Sequence, residues 1–183
     1  MKGKYFAIAM IVLSCLAGTG WAKGGNGNGG GSAAVLSDKE AEHIIFLRQE
    51  EKLARDVYGA LYSTYGNKTF LNISASEQNH MDSVEGLIVT YNLEDPAGDD
   101  SSCVFADIDF DFTALCNELI TAGQGSLQDA LKVGVFIEEM DIHDIEDVML
   151  PDVAQTDVRR VLTNLLAGSY NHLDAFEKSL RLP

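Results

Sequence analysis

The chain has 183 residues, of which 46% are hydrophobic and three are proline, and carries a formal charge of −15. That length allows one domain with a sizeable core. So acidic a surface repels nucleic acid and anionic lipid, which argues against both as partners, and attracts cations, although acidity also serves plain solubility.

Residues 1–22 read as a secretory signal peptide. Lys2 and Lys4 precede an apolar run, YFAIAMIVLSCLAG, that is short for a membrane span, and Gly20 and Ala22 are small residues at the two positions a signal peptidase reads. Cleavage is expected after Ala22, giving a periplasmic or secreted protein that does not span a membrane. An uncleaved anchor fits the short run less well, and a lipoprotein acylated at Cys15 fits Leu13 poorly. The mature chain keeps 11 Lys and Arg against 28 Asp and Glu, a charge of −17. Residues 23–35 form a glycine-rich flexible linker. No strand precedes its glycines, so a phosphate loop is rejected.

From residue 36 to 183 the pattern is that of one helical domain. Ser37 and Glu40 make a capping box, and apolar residues at helical spacing run on to Tyr65. Gly66 stops this helix and Asn67 caps a second, from about Lys68 to Tyr91. The stretch EDPAGDDSSC, Glu94 to Cys103, is loop, and CVFADIDFDF alternates briefly as a short extended piece would. A short helix is expected over about Phe112 to Ala122. Ser126 caps a third long helix reaching about Leu150, and a fourth runs from about Thr156 to Leu180. The short connections make helices one and two, and helices three and four, antiparallel hairpins, while more than thirty residues join the two pairs. The expected fold is all-α, an antiparallel four-helix bundle with one long crossover between helices two and three. Cys103 and Cys116, the two cysteines of the mature chain, are expected to form a disulfide that anchors the crossover away from the helix seams.

Each long helix can be written as a seam of alternating three- and four-residue steps. The first gives Ile44, Leu47, Glu51, Ala54, Tyr58 and Leu61; the second Phe70, Ile73, Glu77, His80, Val84, Leu87 and Tyr91. The third gives Leu127, Leu131, Gly134, Glu138, Asp141, Ile145 and Val148; the fourth Val158, Leu162, Leu165, Ser169, His172 and Phe176. All four are apolar at the ends and polar in the middle. At about 1.5 Å per residue, the polar positions lie at depths that agree to within roughly two turns. A lone inward Glu or His is usually one that snorkels or pairs, and Glu-x-x-His by itself is a common string. Four interruptions at compatible depths are another matter: acids and imidazoles in one buried layer would cost several kcal/mol each unless compensated. Two divalent cations would compensate them, with carboxylate oxygen and imidazole nitrogen as ligands. By type alone Glu50 rivals Glu51, and Glu139 rivals Glu138. Asp141 sits among acids on every face, and His43 and His143 fall off the seams, as surface residues would.

The segments EEKLARDVY, SEQNHM, IEEMDI and GSYNHLDAF, spread from about Leu36 to Leu180, resemble the ferritin-like di-iron carboxylate proteins, and more narrowly the ferritin-like family called domain of unknown function 2202. That resemblance implies Glu51, Glu77, His80, Glu138 and His172 as metal ligands, with Tyr58 as a tyrosine behind them. The wider superfamily carries Glu-x-x-His on its fourth helix. Here the matching positions are Ser169 and His172, so one carboxylate is missing, and Asp141 is the candidate to replace it. The resemblance implies two metal ions, iron first and manganese or zinc otherwise, and oxygen or peroxide chemistry of an oxidase or ferroxidase. A metal-binding or structural module without turnover is the alternative.

Overall fold

The structure, a computed structural model, describes residues 35–106 and 110–181. The expected signal peptide, Cys15 and linker residues 23–34 lie outside the described residues. Among the described residues the regular structure is helical throughout: α1 (Asp38–Tyr65), α2 (Lys68–Tyr91), α3 (Phe112–Gly123), α4 (Leu127–His143) and α5 (Thr156–Arg181). Between α4 and α5 come a π-helical stretch, Asp144–Met149, and a helical turn, Leu150–Asp152.

Local chemistry sets the helix ends. The Glu40 amide donates to Ser37 Oγ while the Ser37 amide donates to Glu40 Oε2, which completes the capping box of α1. Gly66, at φ 63°, closes α1 in the left-handed region that costs a glycine nothing. Asn67, Asp111 and Ser126 cap α2, α3 and α4 through their side-chain oxygens. Glu40 does a second job: its Oε1 accepts from the amides of Ala154 and Gln155, each at 2.8 Å, just before α5 begins.

Residue pairings fix how the long helices run. Arg48 meets the Met81 carbonyl, Ser74 meets the Arg55 carbonyl, and the Tyr58 ring packs on Phe70, so α1 and α2 are antiparallel. Gly134 faces Phe176 and Asp141 meets Ser169, so α4 and α5 are antiparallel too. Thr69 with Ser179, Ser76 with His172 and Tyr91 with Asp157 give the same sense to α2 and α5. Tyr58 meets Glu138 across α1 and α4.

The connection over residues 92–126 is strapped to α1 by buried cations. Arg48 forks onto Asp95 at 3.1 and 3.0 Å. The fully buried Lys52 donates to Asp56 and to the Ser101 carbonyl and lies over the Phe105 ring. Paired this way, neither charge is left uncompensated. Asp56 also accepts from the Cys103 amide, and Cys103 is disulfide-bonded to Cys116 of α3, as the spacing led one to expect.

The α5 seam is borne out residue for residue: Val158, Leu162, Leu165, Ser169, His172 and Phe176 are its buried residues. Four expectations need correction. His43 is buried, beside Asp152, because the chain following α4 folds back over it. Leu127, at the first turn of α4, is exposed. The third long helix does not stay α-helical to Leu150: the π-helical stretch adds a residue to the turn, so Met149 rather than Val148 continues the seam. The described part of CVFADIDFDF is irregular and then enters α3, without a strand. No helix among the described residues is long and apolar enough to cross a membrane.

Candidate metal centre

The polar seam residues come together midway along the packed helices. Glu77 of α2 is the hub. Its Oε2 lies 2.8 Å from His80 Nδ1 and its Oε1 lies 2.9 Å from His172 Nδ1 of α5. His80 Nδ1 is also 3.2 Å from Glu51 Oε2 of α1, and His172 Nδ1 is 3.5 Å from Glu138 Oε2 of α4. The two imidazoles are stacked, 5.3 Å between centroids. One carboxylate thus divides its oxygens between two histidines, each backed by a second glutamate from another helix.

The neighbours that hold these groups are specific. Tyr58 donates to Glu138 Oε1 at 2.6 Å, which leaves Oε2 toward His172. Ser76 Oγ lies 2.9 Å from His172 Nε2; with Nε2 as the donor, Nδ1 keeps its lone pair toward the layer. Ser169 Oγ lies within hydrogen-bond reach of both Asp141 Oδ2 and the Leu165 carbonyl, which share its one proton. Gly168 gives His80 its room: a Cβ there would lie 2.5 Å from His80 Nε2. Ser76 and Gly168 were not anticipated from sequence. Serine beside Glu77 and glycine beside Ser169 have no signature of their own, and only the antiparallel register of α2 and α5 brings them to the histidines.

Of the rivals, Glu138 is buried and Glu139 exposed, so α4 contributes Glu138. Glu50 and Glu51 are both buried. Glu51 turns to α2, while Glu50, about 100° round the helix, turns toward Asp144 and Asp141. His143 is exposed and pairs with Asp147, as expected of a surface residue. The disulfide cysteines take no part in this layer.

Proton affinities show the strain of so many acids in one place. Burial opposes the charge on Glu77, but His172 and His80 hold it at about 2. Burial likewise opposes the imidazoliums, yet Glu51 and Glu77 raise His80 to about 11, and Glu138 and Glu77 raise His172 to about 10. Burial, then repulsion from Glu77, lifts Glu138 to about 8. Burial lifts Asp141 to about 7 against its Ser169 bond, and pushes Glu51 well up with help from Asp141. Without metal the layer is therefore loaded with protons.

The donor set fits metal ions on two observations. Glu77 Oε1 and His172 Nδ1 approach to 2.9 Å, yet neither has a hydrogen-bond partner, and Glu51 Oε1 and Asp141 Oδ1 are also buried without one. A metal ion would take the lone pairs of these buried atoms. A cavity of about 10 Å³ on the α1–α4 side of Glu77 is lined by Glu50, Glu51, Ala54, Glu77, Ile137, Glu138, Met140 and Asp141, and neither histidine lines it. Ligand atoms of Glu77, His80 and His172 all fall within 4.8 Å of one another. Two atoms on one ion at about 2.0–2.2 Å can be up to roughly 4.4 Å apart, so small side-chain adjustments suffice. Mixed carboxylate and imidazole donors suit iron, manganese or zinc rather than a soft ion.

The family described as "Uncharacterized protein domain (DUF2202)" matches residues 40–182. The uncharacterized protein MJ0754 of Methanocaldococcus jannaschii is 43% identical over 145 residues, 79% of this chain and 77% of that one. The crystal structure of the hypothetical protein MJ0754 from Methanococcus jannaschii DSM 2661 is similar at a TM-score of 0.75 and 44% identity, covering 79% of this chain and 81% of that chain.

Proposed function

The chain belongs to the DUF2202 family, and from the chemistry of its polar layer we propose an exported ferritin-like protein that holds a di-metal centre, iron in the first instance, at the middle of its helices. In this reading α1, α2, α4 and α5 are an antiparallel four-helix bundle and residues 92–126 are its long crossover. The antiparallel pairings on all four sides support that topology.

One observation carries the metal reading: the two oxygens of Glu77 each meet the Nδ1 of a different histidine. A carboxylate so placed is suited to bridge two ions. His80 and Glu51 would complete one ligand set, and His172 and Glu138 the other. Iron held there would supply one-electron redox chemistry toward oxygen or peroxide, with iron itself or a small organic molecule as substrate. The protein's own share is positional. Tyr58 orients Glu138, Ser76 orients His172, and Gly168 lets His80 lie against α5. Apolar residues above and below, including Phe70, Phe176, Val84 and Leu165, limit water.

Ser169 favours a second reading. It stands where a further carboxylate would serve the centre, and it binds Asp141 instead. A module that binds metal without turnover needs no complete set of acids. Anaerobic loading with Fe(II) followed by exposure to oxygen separates the readings. An absorbance change in step with oxygen consumption marks oxidase chemistry; tight binding without it marks a metal-binding module.

A further inference from the structure

The acids of this layer are not all used by the two histidines. Glu50 of α1 and Asp144 of the π-helical stretch face one another, 3% and 2% exposed, and beyond a proton that the two carboxyls share, none of their four buried oxygens meets a hydrogen-bond donor. Beside them is Asp141, whose Oδ2 is held by Ser169 and whose Oδ1 is buried, unpartnered, and lines the same small cavity as Glu50. The neighbouring cations on α1 are engaged elsewhere: Arg48 with Asp95, Lys52 with Asp56 and Ser101, Arg55 with Asp56, Gln78 and Asp100.

We propose that Glu50, Asp144 and the free oxygen of Asp141 form a third cation site, built from oxygen alone, for a hard divalent ion such as Mg²⁺ or Mn²⁺. It extends the metal reading of the layer, with which it shares a cavity but no histidine. Three features carry it. One shared proton satisfies only part of two facing buried carboxyls, and a cation in its place removes their repulsion while satisfying the lone pairs that the proton leaves bare. The Ser169 bond holds Asp141 so that its second oxygen remains available on the α1–α4 side. Asp144, four residues after buried Met140 and seven after buried Ile137, stays on the inward face of its helix while Glu146 and Asp147 stay in solvent. With no nitrogen or sulfur among the donors, the site selects by hardness and size. The two ends of one layer thus differ in chemistry, imidazole and carboxylate toward α2 and α5, carboxylate alone toward α4.

Mn²⁺ binding to the chelator-stripped full chain tests this, read by equilibrium dialysis and paramagnetic resonance. The Glu50→Gln/Asp144→Asn variant should bind one equivalent fewer than wild type, and excess Mg²⁺ should displace that equivalent alone. The His80→Leu/His172→Leu variant should retain one equivalent. If Glu50→Gln/Asp144→Asn binds as many ions as wild type, or the double histidine variant binds none, the third site is overturned. If the double histidine variant loses nothing, the di-metal reading fails while this site stands. Should the double amide variant not fold, Asp144→Asn alone is read by the same criteria.

Discussion

Glu77 and the two histidines are the hub of the polar layer, with Glu51 and Glu138 arranged around them. Leucine in place of His172 suits an apolar seam, so in a metal-free helical scaffold it should be neutral or stabilising. If the layer holds metal, His172→Leu should bind less of it and lose most of the rise in melting temperature that added Fe(II) gives wild type. Calorimetry with and without chelator makes the comparison, and a variant as responsive to iron as wild type would count against the ligand role. Gly168→Ala probes the same place differently. The new methyl meets His80 Nε2 and forces the ring to move. Alanine also favours a helix by about 1 kcal/mol over glycine, so the metal-free melting point should change little while metal affinity falls. Unchanged affinity would mean that His80 does not need its present position.

At the scale of elements, most of the site is legible in the amino-acid sequence, and the reason is periodicity. Interrupted apolar seams identify Glu51, Glu77, His80, Glu138, Asp141 and His172, and all six are buried or nearly so. What the sequence hides depends on register between helices or on backbone departures that leave no mark on composition. Ser76 and Gly168 matter only because residue 76 faces 172 and 80 faces 168. The π-helical turn is built from ordinary residues and has no signature, so the passage of the seam to Met149 rather than Val148 is hidden with it. His43 reads as a surface residue because the segment covering it lies more than a hundred residues away. The disulfide is readable from spacing and expected compartment. It stands off the polar layer, so its reduction should cost stability but not metal: about 3 kcal/mol for a loop of this size, or roughly 6–12 °C in melting temperature. Calorimetry and metal analysis with and without reductant check both halves, and metal loss on reduction would contradict the separation of the two features. Glu40→Ala should destabilise by about 1–2 kcal/mol in denaturant titration, since it removes the Glu40 half of the α1 capping box and the acceptor for the Ala154 and Gln155 amides.

For the whole molecule, metal and pH are linked. Glu138 at about 8 and Asp141 at about 7 stand above their ordinary values of 4.5 and 3.8, so the metal-free fold holds protons that the unfolded chain has released. Its stability therefore falls as pH rises from about 4 through 8. His80 and His172, raised to about 11 and 10, stabilise fully below 6.5, and that contribution is lost as pH climbs through their folded values. Glu77, held at about 2, acts the other way, stabilising above 4.5 and ceasing to as pH drops toward 2. Metal displaces the layer's protons, so binding releases them and tightens with pH. The melting temperatures of metal-loaded and chelated protein should diverge between about pH 5.5 and 8. A constant gap would mean that metal binds outside the proton-loaded layer.

The most direct measurement is the metal content of the stripped and Fe(II)-reloaded full chain, set beside that of His80→Leu/His172→Leu, by elemental analysis after anaerobic gel filtration. A centre bridged by Glu77 should give wild type two equivalents of iron that the double variant lacks, with a matching loss of iron-dependent thermal stabilisation. Wild type that retains no stoichiometric metal, or a double variant that retains as much as wild type, would contradict a di-metal centre at these residues.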